Sequence, residues 1–515
     1  MIRLRDVRET IAWVDRSGVA PQIEALLRPT KRGRPRQLSV RALLVGIKLA
    51  VDTARTACLT EVHEILTEQL SPSAQWELGV TDTRTGTVVT LPQVRRLLGA
   101  IQAKLDPSAH GNDLPARILD TRTQTLQSLL DRMLAATMPI DVTHGGSYAI
   151  DGTGTWSWAR GKRRGTVSAD PDARWGVKTH KSGKTEAYFG YELHALVRIN
   201  PVTQPGESTP CLAERIIVVP ASSPPTTPVL AALRRLRAEG RPLTDVVADR
   251  GYSYKLDWTP GLLNLHADSV LDLHATQYGA RGTHQGARIV TGVPHCPAMP
   301  EIFDHIPRPE RLAGGDALND FVAAIDRREQ WAFRRVAGPD TTGKERYECP
   351  ARAGRLRCPL HAGSMTAPLA TPTVQSPPPP DQAPTCCTQR TITVPGSVDT
   401  KSRQRYYWGS RQWISAFSRR SRVEGWFGNL KNDSTEALNR GAFRVMGICK
   451  TSLMLTLFAV ATNLRLLRGW AHRNHPGDEL IQMLIETGGA DAQQPVDAPA
   501  NSGSDPPTPR SRRSP

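Results

Sequence analysis

Two short apolar runs, each closing on an aspartate, limit what this chain can fold into more than any other feature. SYAIDGTGT places Asp151 after Tyr148, Ala149 and Ile150, with Gly152 and Gly154 beyond. TDVVADRGYSY places Asp249 after Val246, Val247 and Ala248, with Gly251 close behind. Such runs, short, partly β-branched and ended by an acid and a glycine, read as buried strands that deliver a carboxylate to a sheet edge. Catalytic and ligand groups of α/β proteins gather there. Either aspartate alone reads equally well as the start of a turn, because Asp-Gly is a common turn pair. Between them lie two more strand-like runs, 187–199 and 214–222, then a helical stretch at 226–240 with Pro228 near its start and Gly240 as its stop. The expected order is strand, strand, strand, helix, strand, with acids on the first and fourth strands.

A third acid arrives on a predicted helix, in FSRRSRVEGWFGNLK at 417–431. On an ideal helix Phe417, Arg420, Glu424 and Lys431 fall at roughly 0°, 300°, 340° and 320°. One stripe therefore carries a carboxylate flanked by two cations, and Trp426 faces the opposite way. Taken alone, Glu424 with Arg420 four residues earlier is a surface ion pair worth a few tenths of a kcal/mol. A lone acid among bases also suits a carboxylate held among phosphates as a metal ligand, with Arg and Lys on the same polyanion.

With these motifs in this order, the chain resembles bacterial insertion-sequence transposases of the Asp-Asp-Glu class. The similar branch has its last acid in a Tyr-x2-Arg-x3-Glu-x6-Lys signature. Here that signature reads Phe417, Arg420, Glu424, Lys431, with every spacing kept and Phe in place of Tyr, so one hydroxyl is absent. Asp-Arg-Gly-Tyr at 249–252, Asp-Gly-Thr at 151–153 and DPDARWGVK at 170–178 are also similar to that family. The resemblance implies a ribonuclease-H-like α/β core in which Asp151, Asp249 and Glu424 are catalytic and hold two Mg²⁺ ions (Mn²⁺ being the alternative) about 3.5–4 Å apart. One ion would activate water or a DNA 3′-OH, and the other would stabilise the leaving oxygen. Arg420 and Lys431 would clamp the DNA backbone. The implied partners are double-stranded DNA, as terminal inverted repeats and as target, with a homodimer bridging two ends. A ribonuclease-H-like nuclease that cuts without joining would use the same acids, and a domesticated, noncatalytic DNA-binding protein is the third reading. Trp258, Trp331, Trp408 and Trp413 are unranked candidates for base stacking.

The expected divisions are a helical N-terminal region (1–135), the first part of the core (136–262), an insertion (263–400), closing helices (401–476) and a tail (477–515). Helical spacing recurs at 40–54, 59–70 and 91–105, and the resemblance implies that this region binds transposon ends. Ahead of it, Gly33-Arg34-Pro35-Arg36 resembles an AT-hook, which makes Arg34 and Arg36 candidate minor-groove contacts. The other reading is a basic turn leading into a helix capped by Ser39. The insertion begins with a Gly-rich, strand-like stretch at 270–292. It holds Cys296, Cys349, Cys358, Cys386 and Cys387, with His295 and His361 nearby. Cys358-x2-His361 reads as a structural zinc half-site that Cys349 or Cys296 could complete. The irregular spacing reads equally as reduced thiols. Residues 370–385 are Pro-rich and read as a linker, and the Pro- and Ser-rich tail reads as disordered, its Arg cluster adding nonspecific DNA contact.

Charge points the same way. The 66 Lys and Arg against 49 Asp and Glu leave a formal net charge of +17, which favours a polyanionic partner and salt-dependent binding without separating DNA from RNA. The first eighteen residues carry charges throughout, where a signal peptide needs an apolar core. The most apolar stretch, 453–467, is broken by Asn463 and Arg465 and is too short to span a bilayer. It reads as a buried helix behind the sheet. A cytoplasmic, nucleoid-associated protein is expected.

Overall fold

The computed structural model describes residues 2–28, 36–53, 56–82, 85–108, 114–140, 142, 144–161, 168–179, 183–203, 209–309, 314–474, 477 and 481–482. The Arg34 expectation and nearly all of the expected tail therefore lie outside the described residues; within the tail's first residues Ile481 is buried, contrary to the disorder expected there. Among the described residues seven α-helices precede the first strand: Leu4–Ser17 (α1), Val19–Leu27 (α2), Val40–Thr53 (α3), Leu59–Glu64 (α4, continued by a π-helical turn Ile65–Gln69), Pro72–Glu77 (α5), Leu91–Leu105 (α6) and Ala116–Ala135 (α7). The sequence signals act locally as expected. Ser39 accepts the Ala42 N–H at 3.1 Å to cap α3, and Thr90 with Gln93 forms a capping box at the start of α6.

Six strands then build one mixed sheet: Ser147–Trp156 (β1), Arg174–Thr179 (β2), Thr185–Arg198 (β3), Ala213–Pro220 (β4), Asp245–Ala248 (β5) and Asp268–Leu271 (β6). Their order is β2-β3-β1-β5-β6, with β4 also on β3. The long β3 makes this possible. Its residues 185–190 pair with β2 and its residues 191–197 with β4, all antiparallel. β3 is antiparallel to β1, whereas β5 runs parallel to β1 and β6 parallel to β5. Parallel neighbours need crossovers. Thr226–Ala238 (α8) leads from β4 into β5, and Arg250–Ser253 (α9) with Trp258–Leu263 (α10) leads from β5 to β6.

Strand alternation divides the interior. Ala149, Leu193, Ala195, Val197 and Val247 face a core shared with the N-terminal helices and with the last helix. Tyr148, Ile150, Leu196, Val246 and Ala248 face a second core shared with α8 and α10. By the same parity Asp151, Thr153 and Asp249 belong to the first face.

The insertion contains two three-stranded antiparallel sheets. One is made by Ala280–His284 (β7), Ala287–Val290 (β8) and Val293–His295 (β9), the other by Arg334–Ala337 (β10), Glu345–Glu348 (β11) and Thr391–Val394 (β12). Gly314–Glu329 (α11) and the single turn Thr385–Thr388 (α12) lie in the same region. In the Pro-rich stretch read as a linker, Thr373 bridges to Arg357 and Val374 is buried in the insertion core.

Three helices close the chain: Arg411–Ser418 (α13), Ser421–Lys431 (α14) and Ile448–Asn474 (α15). Asn463, which interrupts the apolar run, is buried in α15 and makes four bonds. It accepts from Ala213 N and Trp426 Nε1, each at 3.0 Å, and donates to Ala213 O at 2.8 Å and Thr137 Oγ1 at 2.9 Å. No helix among the described residues is long and apolar enough to cross a membrane.

Candidate active site

Asp151 was expected at the end of its strand and lies instead midway along β1, which runs on to Trp156. The two glycines are the reason. A Cβ on Gly152 would lie 2.6 Å from the His194 ring, and one on Gly154 would lie 2.6 Å from the Tyr188 ring. They make room for side chains on β3 rather than forming a turn. Asp249 directly follows β5 and caps α9, its Oδ1 accepting the Gly251 N–H at 2.8 Å. A Cβ on Gly251 would stand 2.9 Å from that oxygen, so glycine keeps the carboxylate in place.

Parallel register brings the two aspartates level. Ala149 pairs with Val247. Continued two residues, that register sets Asp151 beside Asp249 on strands about 5 Å apart, on one face. The electrostatics agree. The Asp151 carboxyl is held above its ordinary range by burial first, then by the charges of Asp249 and Glu424, while the Gly152 N–H and Arg420 oppose the shift.

Glu424 reaches this face on α14, which packs against β1 and β3. The 417–431 segment is not one helix: α13 ends at Ser418 and α14 starts at Ser421. The stripe survives because Arg419 and Arg420 keep right-handed helical angles. Arg419 pins the junction to the sheet, donating to Ala416 O at 3.0 Å and Asn200 O at 3.1 Å and pairing with Asp245. Arg420 then joins two of the acids, with Nη1 3.1 Å from Asp151 Oδ2 and Nη2 bonded to Glu424 Oε1. Phe417 stacks on Trp413 with centroids 4.9 Å apart, and the Arg420 guanidinium lies 5.9 Å from its ring. That support needs an aromatic face, not a hydroxyl.

Lys431 donates to Thr153 Oγ1, two residues beyond Asp151. Burial, with help from Lys178 and against Asp151, lowers its ammonium from 10.5 to about 8. Without a bound anion, Lys431 therefore loses its proton as pH rises through about 8, and an approaching anion then meets a neutral amine.

An all-oxygen donor set suits a hard divalent cation, and the charges of Asp249 and Glu424 that hold the Asp151 proton are negative charge for such an ion to neutralise. In this structure Arg420 supplies positive charge between Asp151 and Glu424. Among the described residues no three His, Cys, Asp or Glu side chains are drawn to metal-binding spacing.

Of the other expected site residues, Arg36 pairs with Glu24 at 2.5 Å. Cys296, Cys349 and Cys358 are buried together in the insertion core, and the backbone N–H of His361 donates to the Cys358 carbonyl at 2.9 Å. The stacking candidates Trp258, Trp331, Trp408 and Trp413 are all buried. Sequence reasoning missed the exposed aromatics, Trp158 with Arg444 4.8 Å from its ring, and Trp175, 52% exposed. The TWSWAR run just after Asp151 was the available signal. It also missed His194, whose Nδ1 is 3.1 Å from the Tyr252 hydroxyl and whose Nε2 is 3.5 Å from Glu192. No protein-family model matches the chain, and no curated protein matches it.

Proposed function

We propose that this chain is a transposase of the Asp-Asp-Glu class, which cleaves DNA at transposon ends and joins them to target DNA. The observation that carries the reading is one sheet face that carries Asp151 on β1 and Asp249 just after β5, with Arg420 joining Asp151 to Glu424 of α14 and Lys431 beside them. The strand order β4-β3-β1-β5-β6, with only β3 running against the rest, supports a ribonuclease-H-like core. The acids would hold divalent ions, Mg²⁺ by donor chemistry, and the ions would supply an activated oxygen and Lewis-acid stabilisation of the leaving group. The chain's own residues position the reactants. Arg420 and Lys431 bind phosphate oxygens near the scissile bond, and Gly152 and Gly251 N–H groups fix one oxygen of each aspartate, while the second oxygen of Asp151 accepts from Arg420, which an ion would displace toward the phosphate.

The test is cleavage and joining of DNA carrying the element's own ends, in Mg²⁺, by wild-type and Asp249→Ala protein. Nicks and joined products from wild type alone support the reading. Cutting without joining selects the nuclease, and end cleavage by Asp249→Ala removes the site assignment.

Lys431 gives a second expectation. Binding of end DNA, measured by fluorescence anisotropy, weakens as pH rises through about 8, whereas Lys431→Arg stays flat because guanidinium keeps its charge. Lys431→Ala lowers the slope of log affinity against log salt by about 1. Equal pH profiles for wild type and Lys431→Arg remove Lys431 from the interface.

A further inference from the structure

Past Asp151 the chain reads Trp156-Ser157-Trp158, and past Lys431 it reads Arg440-Gly441-Ala442-Phe443-Arg444. The fold lays the two segments together. The Arg440 guanidinium lies 5.0 Å from the centre of the Trp156 ring, and that of Arg444 lies 4.8 Å from the Trp158 ring. Two rungs result, each a planar cation resting on an indole. Both arginines and Trp158 are exposed, and Trp156 is partly buried. Apart from its ring, neither arginine has an ion-pair or hydrogen-bond partner among the described residues. The arginines nearer the acids differ: Arg419 pairs with Asp245, and Arg420 with Asp151 and Glu424.

A buried frame holds the rungs. Asp170, 1% exposed, accepts from Ser157 Oγ at 2.6 Å, from the Tyr191 hydroxyl at 2.7 Å and from the Gly447 N–H at 3.1 Å. Ser157 stands between the two tryptophans and Gly447 three residues past Arg444, so one carboxylate fastens both sides of the ladder. Gly441 turns the second segment over the first: its φ is +94°, and a Cβ there would stand 3.7 Å from the Trp158 ring. Between the arginines Ala442 and Phe443 are buried, and Ala442 O accepts the Ala57 N–H at 2.6 Å. Ordinary surface packing accounts for one guanidinium on an indole. It gives no reason for two side by side, braced from beneath, with no carboxylate to meet either. A fixed guanidinium without an acid presents its N–H donors to phosphate oxygens.

We propose that Arg440 and Arg444, stacked on Trp156 and Trp158, bind the phosphate backbone of duplex DNA beside the point of cleavage. The proposal rests on the reading of the acids as a DNA-cleaving site, and position selects the ligand. Lys431 donates to Thr153 Oγ1, and Trp156 follows three residues further along β1, roughly 10 Å at the rise of a strand. The ladder therefore continues the line of Asp151 and Lys431 along one strand. Contacts of this kind fix where the duplex lies and carry no sequence information.

The test is fluorescence anisotropy of the full chain with a labelled duplex carrying the element's end, over a salt series, in EDTA so that nothing is cut. Arg440→Gln and Arg444→Gln are each expected to lower the slope of log affinity against log salt by about 1, and the double variant by about 2. Melting temperatures are expected to stay at the wild-type value, because neither arginine pairs with the rest of the fold. Trp158→Leu keeps the charge, so it should keep the wild-type slope while binding weakens about two- to fivefold, the loss of one exposed cation–π support. Arg440→Lys combined with Arg444→Lys should likewise keep the slope and lose affinity, because an ammonium lacks the planar fork. Where a Gln substitution lowers the melting temperature, this lysine-substituted protein decides: wild-type affinity in it overturns the ladder. An unchanged salt slope in the double Gln variant also overturns it and leaves the acids' assignment standing. Wild-type protein that binds the duplex through both arginines but fails to cut it in Mg²⁺ removes that assignment and leaves the ladder. Wild-type protein that binds no duplex, or binds RNA of the same sequence more tightly, overturns the assignment to DNA.

Discussion

Asp151→Asn is expected to lose Mg²⁺-dependent cleavage by a factor on the order of 10³ or more while melting no lower than wild type. The first half follows from the donor: an amide offers a cation one weak oxygen in place of a carboxylate. The second half follows from the sign of the shift. The Asp151 carboxyl is raised, by burial and then by Asp249 and Glu424, so its ionised form is less favourable in the folded state than in the unfolded one. The associated stability is fully present below the ordinary carboxylate range and is lost as pH rises through the raised value. At neutral pH the charge is a cost, and asparagine removes it while keeping an oxygen for Arg420 and Gly152. A gain of about 0.5–1 kcal/mol is the usual scale when a strained functional charge is neutralised. Thermal melts should coincide at acid pH and separate at neutral pH, with the variant higher. Adding Mg²⁺ should raise the wild-type melting temperature and leave the variant's unchanged, because only a state that binds the ion is stabilised by it. A variant that cleaves at wild-type rates, or melts lower at neutral pH, contradicts this placement of Asp151.

The second large effect concerns stability. Asn463→Leu replaces the polar residue in an apolar helix with a side chain of similar volume, and on hydrophobicity alone it should stabilise. It is expected instead to cost about 3 kcal/mol, because buried donors and acceptors left without partners lose roughly 1–3 kcal/mol each. The change strands the N–H and C=O of Ala213, the Trp426 indole N–H and a partner of Thr137. Trp426 sits two residues after Glu424 on α14, so activity should fall with stability. Urea titration gives the answer by sign: a midpoint below wild type supports the network, and one at or above it removes Asn463 from the fold's supports.

Much of the local structure is legible in the sequence. β-branched runs mark β1, β4 and β5, 3.6-residue spacing marks α3 and α6, and Pro228 with Gly240 brackets α8. The common stripe of Arg420, Glu424 and Lys431 also follows from spacing, and it tolerates the break at 419–420 because those two residues stay helical. The signals failed where a residue serves a distant neighbour. Gly152 and Gly154 look like a turn and are in fact clearance for His194 and Tyr188. Asn463 looks like an interruption and is a joint between β4, α14 and α15.

By itself the sequence determined which segments form strands or helices and which face of each carries an acid or a base, because side-chain periodicity is a property of neighbouring residues. Only the tertiary structure decided that these faces meet. Arg420 reaches Asp151 across 269 positions, and Asp151 stands level with Asp249 only because β1 and β5 pair in one particular parallel register. Strand partners and register are set by burial on both faces of the sheet together, and no local pattern contains that information.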